Sequence, residues 1–365
     1  MRYSKFLALG SAAAIAMGVA ACGSSSNDNN GSTGGSSSSS AALNGAGSTF
    51  QAPLVSEWAS RFKDSSGTTV NYQPVGSGAG IAQLTAGTVD FAGSDAVMKP
   101  EEVAAGKDKG TPVHLPIALG AVTVSYNLDG VDRGLRLDGP TIADIYLGRV
   151  TKWNDQEIAS LNSGVNLPDT DITVCHRSDE SGTTANFTQF LADYSRAWAD
   201  GPGVDKSVQW PVGTGARGND GVAGCVKQTP GAVGYVEQAY ALQNNFTTAA
   251  VKNKAGAWVE PTLDATSAAG EGANPPANLE FSTINADGRG SYPITAVTFQ
   301  IVWQDSCKAG ISADTARSLK AWLTYILGDG QSVAPDLEYA PLPASIQTRA
   351  QARVAALECN GSPIA

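Results

Sequence analysis

The chain has 365 residues and a net charge of −10, from 24 Lys+Arg and 34 Asp+Glu. An acidic chain of this kind repels nucleic acid, which excludes DNA or RNA as its main partner. Any anion that it binds has to be held by local dipoles and one or two placed cations, because there is no general positive field.

Residues 1–21 have the pattern of an export signal. Arg2 and Lys5 precede the apolar run 6–21, which is too short for a comfortable transmembrane helix. The run ends in Val-Ala-Ala before Cys22, which resembles the lipobox of bacterial lipoproteins. We therefore expect cleavage before Cys22 and its lipidation (palmitate among the acyl chains). The chain would then sit on the outer face of the cell membrane or the periplasmic side. A chance thiol behind a plain signal peptide is the alternative.

Residues 22–42 are predicted to be the lipidated cysteine and a flexible linker. The stretch after Cys22 contains no apolar residue larger than alanine, so it cannot form a core. Twenty such residues behave as a coil about 25 Å from end to end. Removal of the signal would take away two positive charges and no negative ones, which lowers the net charge from −10 to −12.

The four remaining cysteines are an even number in an exported chain, which predicts two disulfides. Three pairings are possible, and proximity along the chain favours Cys175–Cys225 and Cys307–Cys359. A zinc site is not expected, because no two cysteines are close in sequence and there are only two histidines. No other metal and no cofactor is expected either.

Residues 43–365 are long enough for two α/β domains with buried cores. Apolar β-runs alternate with helical patterns, which favours mostly parallel sheets. Two β-runs, 117–126 and 293–303, are long enough to cross between domains, whereas weak periodicity over 253–290 predicts loops with little core. The clearest predicted helices are 53–62, 80–86, 183–194, 313–327 and 343–357, and the clearest strands are 69–72, 121–126 and 172–174.

Three segments place hydroxyl groups and free backbone N–H groups at the starts of predicted helices. They are 45–50 (Gly-Ala-Gly-Ser-Thr-Phe), 76–80 (Gly-Ser-Gly-Ala-Gly) and 181–184 (Ser-Gly-Thr-Thr). The glycines allow a ligand to approach the backbone closely, and the helix starts favour negative charge. Each segment alone is typical of an ordinary helix cap. Three of them in one chain predict an oxyanion site.

Two charged residues indicate which oxyanion. Arg177 stands four residues before Ser181 and offers a guanidinium fork, although an N-cap with a surface ion pair from Arg177 to Asp179 is the simpler interpretation. Asp95 would repel a fully deprotonated anion but can accept a hydrogen bond from protonated phosphate. This arrangement predicts phosphate over sulfate. The alternative for Asp95 is a solvated cap.

These segments resemble the phosphate-binding protein of bacterial high-affinity phosphate ABC importers. Further matches are Asp144–Gly148, Trp153–Asp155, Gly218–Gly221 and Gly231–Glu237, and the resemblance extends in order from about Gly45 to Tyr339. It implies an α/β, two-lobe periplasmic-binding-protein type II fold with two hinge-crossing segments. Lobe I would comprise 43–126 plus 294–365, and lobe II 127–293.

The resemblance also implies a set of phosphate ligands. They would be Ser48, Thr49, Phe50, Ser77, Asp95, Arg177, Ser181, Gly182 and Thr183, with Asp179 holding Arg177 in place. The protein would be a monomeric receptor that delivers inorganic phosphate to ABC permease subunits served by a separate ATPase. Two residues depart from the family pattern. Glu180 stands where glycine is common, and would weaken binding if it turned inward; Gln51 stands where proline is frequent.

Three other functions fit less well. The G-x-G-x-x-G at 213–218 has the spacing of a dinucleotide fingerprint, but no good strand precedes it. An exported phosphatase-like hydrolase with the same anion cage needs a nucleophile with a base within hydrogen-bond reach. The sequence has no G-x-S-x-G motif. His176 and Arg177 are neighbours on a predicted strand, so their side chains should point to opposite faces. A purely structural lipoprotein leaves the cage unexplained. We expect a binding protein and not an enzyme, with a sulfate or other oxyanion receptor as the alternative.

Overall fold

The computed structural model describes residues 42–131 and 134–365. The export signal, Cys22 and nearly all of the linker therefore lie outside the described residues. The described residues belong to one structural unit, residues 40–365. Among them, no helix has the length and apolar character needed to cross a membrane.

The chain alternates short strands with helices along most of its length. The strands are β1 (Leu43–Gly47), β2 (Val70–Pro74), β3 (Phe91–Ser94), β4 (Pro112–Tyr126), β5 (Arg136–Leu137), β6 (Thr173–Arg177), β7 (Thr214–Ala216), β8 (Ala232–Glu237), β9 (Thr247–Thr248), β10 (Ala250–Lys252), β11 (Trp258–Val259), β12 (Thr295–Trp303), β13 (Glu358–Cys359) and β14 (Ser362–Pro363). The helices are α1 (Ala52–Ser66), α2 (Ser77–Ala86), α3 (Pro100–Ala105), α4 (Gly139–Tyr146), α5 (Gln156–Leu161), α6 (Gly182–Tyr194), α7 (Arg196–Asp200), α8 (Gly218–Gln228), α9 (Gln238–Gln243), α10 (Leu263–Glu271), α11 (Ala313–Ile326) and α12 (Ala344–Ala355), with a 3₁₀ helix at Asp329–Leu337.

The main sheet has the strand order β2-β1-β3-β12-β4-β8-β6-β7, with β9 also paired to β4. The outer strands are parallel, as predicted: β1 with β2 and β3, and β6 with β7 and β8. The centre is antiparallel, because β12 pairs in that sense with both β3 and β4, and β4 with β8. The prediction of mostly parallel sheets was therefore right at the flanks and wrong at the centre.

Strand β4 connects the two groups of strands. Its residues 112–121 pair with β12, and its residues 122–126 pair with β8. Every residue of the strand after Pro112 is buried, which explains why the sequence is a nearly continuous apolar run instead of an alternating one. β12 brings the chain back beside β4 in the opposite direction, and this return makes the centre antiparallel.

The five helices predicted from periodicity are present, with ends displaced by a few residues. In α1 a proline lies in the first turn and Leu54, Trp58 and Phe62 are buried along one face. The helix ends at Gly67, whose φ of 75° is the left-handed conformation that glycine adopts without strain. α6 begins where Ser181 Oγ accepts the Thr184 N–H at 3.1 Å, a side-chain cap of the kind expected from the sequence.

The region 253–290 contains more core than its sequence suggested. α10 lies within it, and Leu279 is completely buried. The helix packs through small residues: a Cβ added at Gly270 would lie 3.1 Å from the Leu119 side chain. Because alanine and glycine give little apolar periodicity, the pattern hid a buried helix, and the prediction of loops was wrong here.

Both disulfides have the pairing that proximity in the chain favoured. Cys175 in β6 is bonded to Cys225 in α8, and Cys307 to Cys359. The first bond ties a helix to the strand that carries Arg177, so it supports the element on which a predicted ligand lies.

Candidate functional site

The segments singled out in the sequence meet at one place in the fold. Strands β1, β3 and β6 end there, and helices α1, α2 and α6 begin there. Thr49, Ser77, Asp95, Arg177 and Thr183 are each at most 4% exposed. We call this group of residues the cage. Its hydroxyl and N–H groups are thus shielded from water, which strengthens their electrostatic interactions.

Hydrogen bonds join the cage across the main sheet. Ser77 Oγ, at the start of α2, accepts the Gly182 N–H of α6 at 3.0 Å. Asn186 Nδ2, one turn into α6, donates to the Asp95 backbone oxygen at 2.6 Å. Residues that are about one hundred positions apart in sequence therefore close on each other directly.

Gly182 is required at the point of closest approach. A Cβ added there would lie 2.7 Å from both the Asp95 nitrogen and Ser77 Oγ. Real Cβ atoms do not approach that closely, and one of the neighbours is backbone, which cannot swing away. The glycine lets the α6 start reach the end of β3.

Asp95 is a buried carboxylate that accepts two hydroxyl groups. Ser48 Oγ donates to Oδ2 at 2.6 Å, and Thr298 Oγ1 donates to Oδ1 at 2.8 Å. Burial raises the pKa of Asp95 to about 6, although the bonds from Ser48 and Thr298 and the charge of Arg177 act to lower it. A carboxyl in this setting is ionised at neutral pH and ready to accept a further hydrogen bond.

Arg177 is held by a bidentate ion pair with Asp179. Its Nε donates to Oδ1 at 2.7 Å and its Nη2 to Oδ2 at 2.6 Å, while Nη1 reaches Thr183 Oγ1 at 3.5 Å. Burial raises the pKa of Asp179, but the bonds from Arg177 and the Gly218 N–H outweigh that effect and hold the pKa below its ordinary value. The side chains of Arg177 and Asp179 are 1% and 13% exposed. The predicted ion pair is therefore present, but it is buried and does not lie on the surface.

Two of the predicted ligands have other partners in this structure. Ser181 Oγ caps α6, as described above, and its N–H donates to the Lys206 oxygen at 2.9 Å. The Phe50 N–H donates to Ser48 Oγ at 3.0 Å, and its ring packs edge-on against Tyr339 in the core. Both residues lie at the cage, and each helps to shape it.

Several residues at the cage were missed or given no role from sequence. Asn219 donates from its backbone N–H and from Nδ2 to Thr49 Oγ1, at 3.1 and 2.9 Å, and Nδ2 also lies 3.4 Å from Thr183 Oγ1. Tyr240 donates its hydroxyl to the Thr49 backbone oxygen at 2.7 Å. Asn219 falls in the Gly218–Gly221 segment, which was a visible signal. Tyr240 lies in the short helix α9, whose sequence has no distinguishing pattern.

Glu180 points away from the cage. Its side chain is exposed and lies against Gly78 on the outer side of α2, where a groove of about 720 Å³ also contains Lys99 and Lys206. Its backbone contacts the same residue, since the Gly78 N–H donates to the Glu180 oxygen at 3.1 Å. The Glu180 side chain, which departs from the glycine common in the family, therefore lies outside the cage.

His176 is turned away from the cage hydroxyls. It stacks on Trp210 with ring centroids 4.7 Å apart, and its Nδ1 lies 3.0 Å from the Arg177 backbone oxygen. Burial lowers its pKa. In the dinucleotide-like segment 213–218, the three residues of β7 occupy the positions where a phosphate-binding loop would be. Among the described residues no three His, Cys, Asp or Glu side chains are grouped to hold a metal.

Comparison with known proteins identifies the family. Residues 32–330 match the model of the PBP superfamily domain. A phosphate-binding protein PstS from Xylella fastidiosa (strain Temecula1) is 41% identical over 313 residues, which cover 85% of this chain and 84% of that protein. The chain belongs to the PstS family of phosphate-binding proteins. A second PstS, from Pasteurella multocida, is 38% identical over 85% of this chain and 89% of its own.

Solved structures agree on the fold. One is a phosphate ABC transporter substrate-binding protein with bound phosphate from Clostridium perfringens. It is 18% identical, covers 83% of this chain and 100% of its own, and superimposes with a TM-score of 0.61. The two-lobe α/β fold of periplasmic binding proteins, expected from the sequence of this PstS family member, is confirmed.

Proposed function

We propose that this protein is an extracytoplasmic receptor that captures inorganic phosphate and delivers it to an ABC-type importer. One observation carries the proposal: a buried acceptor, Asp95, and a buried guanidinium, Arg177, share one cage of hydroxyl and N–H donors. A protonated tetrahedral anion matches that mixture, because it offers a hydrogen to Asp95 and oxygens to everything else. The PstS relatives described above are named phosphate-binding proteins.

The cage would meet the charge of phosphate with dipoles more than with cations. Arg177 is already paired with Asp179, so its charge is largely balanced, and it would contribute mainly as a hydrogen-bond donor. The helix starts of α1, α2 and α6 supply N–H groups and favourable dipoles. The proposed ligands are Ser48, Thr49, Phe50, Ser77, Asp95, Arg177, Ser181, Gly182 and Thr183, with Asp179 orienting Arg177.

We propose that lobe I comprises 43–126 plus 294–365 and lobe II 127–293. The pairing of β4 supports these boundaries. Residues 112–121 of this strand pair with β12, and its last residues, 122–126, pair with β8. The cage lies where the two sets of elements meet, so opening and closing of the lobes would admit and enclose the anion. Cys22 would carry the lipid anchor, and separate permease and ATPase subunits would carry out transport.

Two other functions are less well supported. A sulfate receptor would place a fully deprotonated anion against the Asp95 carboxylate, which repels it. A phosphatase-like hydrolase would need a base beside a nucleophile, whereas His176 stacks on Trp210 and faces the Arg177 backbone. The geometry of the cage therefore favours binding without reaction.

Titration of the soluble domain from Leu43 with phosphate and with sulfate tests the proposal. We expect phosphate to bind and sulfate to bind at least a hundredfold more weakly, because one unpaired buried charge costs several kcal/mol. Tryptophan fluorescence or calorimetry gives both constants. Equal binding of the two anions, or no binding of phosphate, contradicts the proposal. If the protein hydrolyses a chromogenic phosphate ester, the phosphatase-like alternative is favoured over the receptor.

A further inference from the structure

Gln51 and Thr298 form a buried hydrogen-bond relay that ends on Asp95. Both residues are completely buried. Gln51 Nε2 donates to Thr298 Oγ1 at 2.8 Å and to the Phe299 backbone oxygen at 3.0 Å. Thr298 Oγ1 in turn donates to Asp95 Oδ1 at 2.8 Å. The relay links the residue before α1, strand β12 and the end of β3, which are far apart in the chain.

The orientation of the Gln51 amide follows from its partners. The Phe299 carbonyl oxygen can only accept, so the group that faces it must be the amide nitrogen and not the amide oxygen. The same nitrogen then faces Thr298 Oγ1. A nitrogen of this kind cannot accept a hydrogen bond, so the Thr298 hydroxyl cannot turn its hydrogen back toward Gln51. That hydrogen is left for Asp95.

The second carboxylate oxygen of Asp95, Oδ2, also accepts a hydrogen bond from a hydroxyl group. Ser48 Oγ accepts the Phe50 N–H at 3.0 Å, and its own hydrogen goes to Asp95 Oδ2 at 2.6 Å. Each carboxylate oxygen thus receives a hydroxyl whose oxygen is already occupied by an N–H donor. Hydrogen bonds of this sense stabilise the ionised carboxylate and disfavour the protonated one.

We propose that Gln51, acting through Thr298, is a positioning residue that keeps Asp95 an acceptor and thereby sets the preference for protonated phosphate over sulfate. The inference rests on the phosphate-binding function proposed above. A carboxylate that only accepts requires an anion with a hydrogen at that position. A protonated Asp95 would instead donate to sulfate, and the preference would be lost.

Other groups around Asp95 act on its charge as well. Arg177, at the end of β6, favours the ionised form. Glu237, at the end of β8, interacts with Asp95, and burial raises the pKa of Glu237 well above its ordinary value. Tyr72, Tyr240 and Tyr339 also lie near, and burial raises the pKa of each. Burial drives the pKa of Asp95 upward to about 6, so the donated hydrogen bonds hold the carboxylate ionised against that effect.

The test is the pH dependence of anion preference in two variants, Gln51→Met and Thr298→Val. Phosphate and sulfate affinities are measured calorimetrically from pH 5 to pH 9, and the pH at which the preference is half lost is recorded. We expect that midpoint to rise by about one pH unit in both variants, because each weakens a hydrogen bond to an ionised group. Below the midpoint the preference should fall about tenfold relative to wild type.

Two further variants separate the relay from a general loss of packing. Thr298→Ser keeps the hydroxyl and should restore the wild-type midpoint. Gln300→Met makes the same substitution at a second completely buried glutamine, which lies in β12. The Gln300 Oε1 accepts a hydrogen bond from Trp322 Nε1 and is not part of the relay. This substitution should lower stability without moving the midpoint.

The outcomes are distinguishable. A wild-type midpoint in folded Gln51→Met and Thr298→Val overturns the relay while leaving phosphate binding intact. A wild type that binds no phosphate overturns the proposed function and this inference with it. Thr298→Val, which exchanges a hydroxyl for a methyl group of similar size, decides the matter if Gln51→Met does not fold.

Discussion

At the scale of the residue, Asp95 shows a conflict between binding and stability. An acceptor is needed for protonated phosphate, but the carboxylate proposed to provide it is 3% exposed and loses its hydration. Ser48 and Thr298 compensate only in part, since the pKa of Asp95 still rises to about 6. The site therefore holds a charge that the fold would tolerate better in its neutral form.

This conflict predicts how stability depends on pH. The pKa of Asp95 is about 6 in the folded chain against an ordinary value of 3.8. Its contribution to stability is present below pH 3.8 and is lost as the pH rises through 6. Without phosphate, Asp95→Asn should therefore be more stable than wild type above pH 6, by about 3 kcal/mol, and the difference should shrink toward pH 4.

Urea unfolding at pH 4, 5, 7 and 8 measures this difference, and phosphate-free buffer is needed because a ligand adds its own stabilisation. Asp200→Asn is the matched control, since that carboxylate is largely exposed. A stability difference for Asp95→Asn that does not change with pH would contradict the prediction.

Gly182 gives a second prediction at this scale. Gly182→Ala places a methyl group 2.7 Å from the Asp95 backbone nitrogen and should weaken phosphate binding at least tenfold, because α6 has to move away from β3. Gly224→Ala in α8 is the control: its Cβ would meet nothing within 4 Å, and the helix should gain about 0.5–1 kcal/mol. Calorimetric titration with phosphate and thermal unfolding of both variants provide the comparison. Unchanged affinity in Gly182→Ala would show that the close approach is not needed.

At the scale of the element, two ion pairs connect α3 to the loop after α7. Lys99 is paired with Asp205, and Glu102 with Lys206. The Lys206 side chain is 4% exposed, whereas those of Lys99 and Asp205 are 37% and 35% exposed. The backbone oxygen of Lys206 also accepts the Ser181 N–H at the start of α6. The buried pair is therefore tied to the cage, and the exposed pair is worth little by itself.

Lys206→Met tests this connection. Removal of the ammonium leaves Glu102 partly buried and unpaired, so we expect a loss of about 2 kcal/mol in unfolding free energy and roughly tenfold weaker phosphate binding. Asp205→Asn should cost less than about 1 kcal/mol, since its pair is solvent-screened. Urea unfolding and phosphate titration of both variants measure the effects. A destabilised Lys206→Met with wild-type phosphate affinity would show that the pair does not assist closure.

At the scale of the whole molecule, the proposed lobes predict a change of shape. A cage built from both lobes and less than 5% exposed can admit phosphate only if the lobes separate. Small-angle scattering should therefore show a smaller radius of gyration with phosphate than without it. Arg177→Ala, which removes the guanidinium from the cage, should reduce the change at the same phosphate concentration. Equal radii in both states for wild type would contradict hinge closure.

Part of the fold could be predicted because it is encoded locally. Periodicity identified five helices, and the apolar run 117–126 marked a long strand inside β4. The disulfide pairing followed from proximity along the chain. α10 was missed because a helix that packs through alanine and glycine shows little apolar periodicity, and the antiparallel centre was missed because strand order is not a local property.

The sequence by itself determined the chemistry of the site: hydroxyls at helix starts, one guanidinium with its carboxylate, and an acceptor after β3. These features are local, since capping and glycine conformations involve neighbouring residues. Only the tertiary structure decided that Glu180 turns outward, that Asn219 bonds Thr49, and that Gln51 reaches Asp95 through Thr298. In this relay, Gln51 and Thr298 are 247 residues apart in the chain, and Thr298 and Asp95 are 203 residues apart. Contacts over such distances depend on which strands become neighbours in the sheet, and long-range packing decides that.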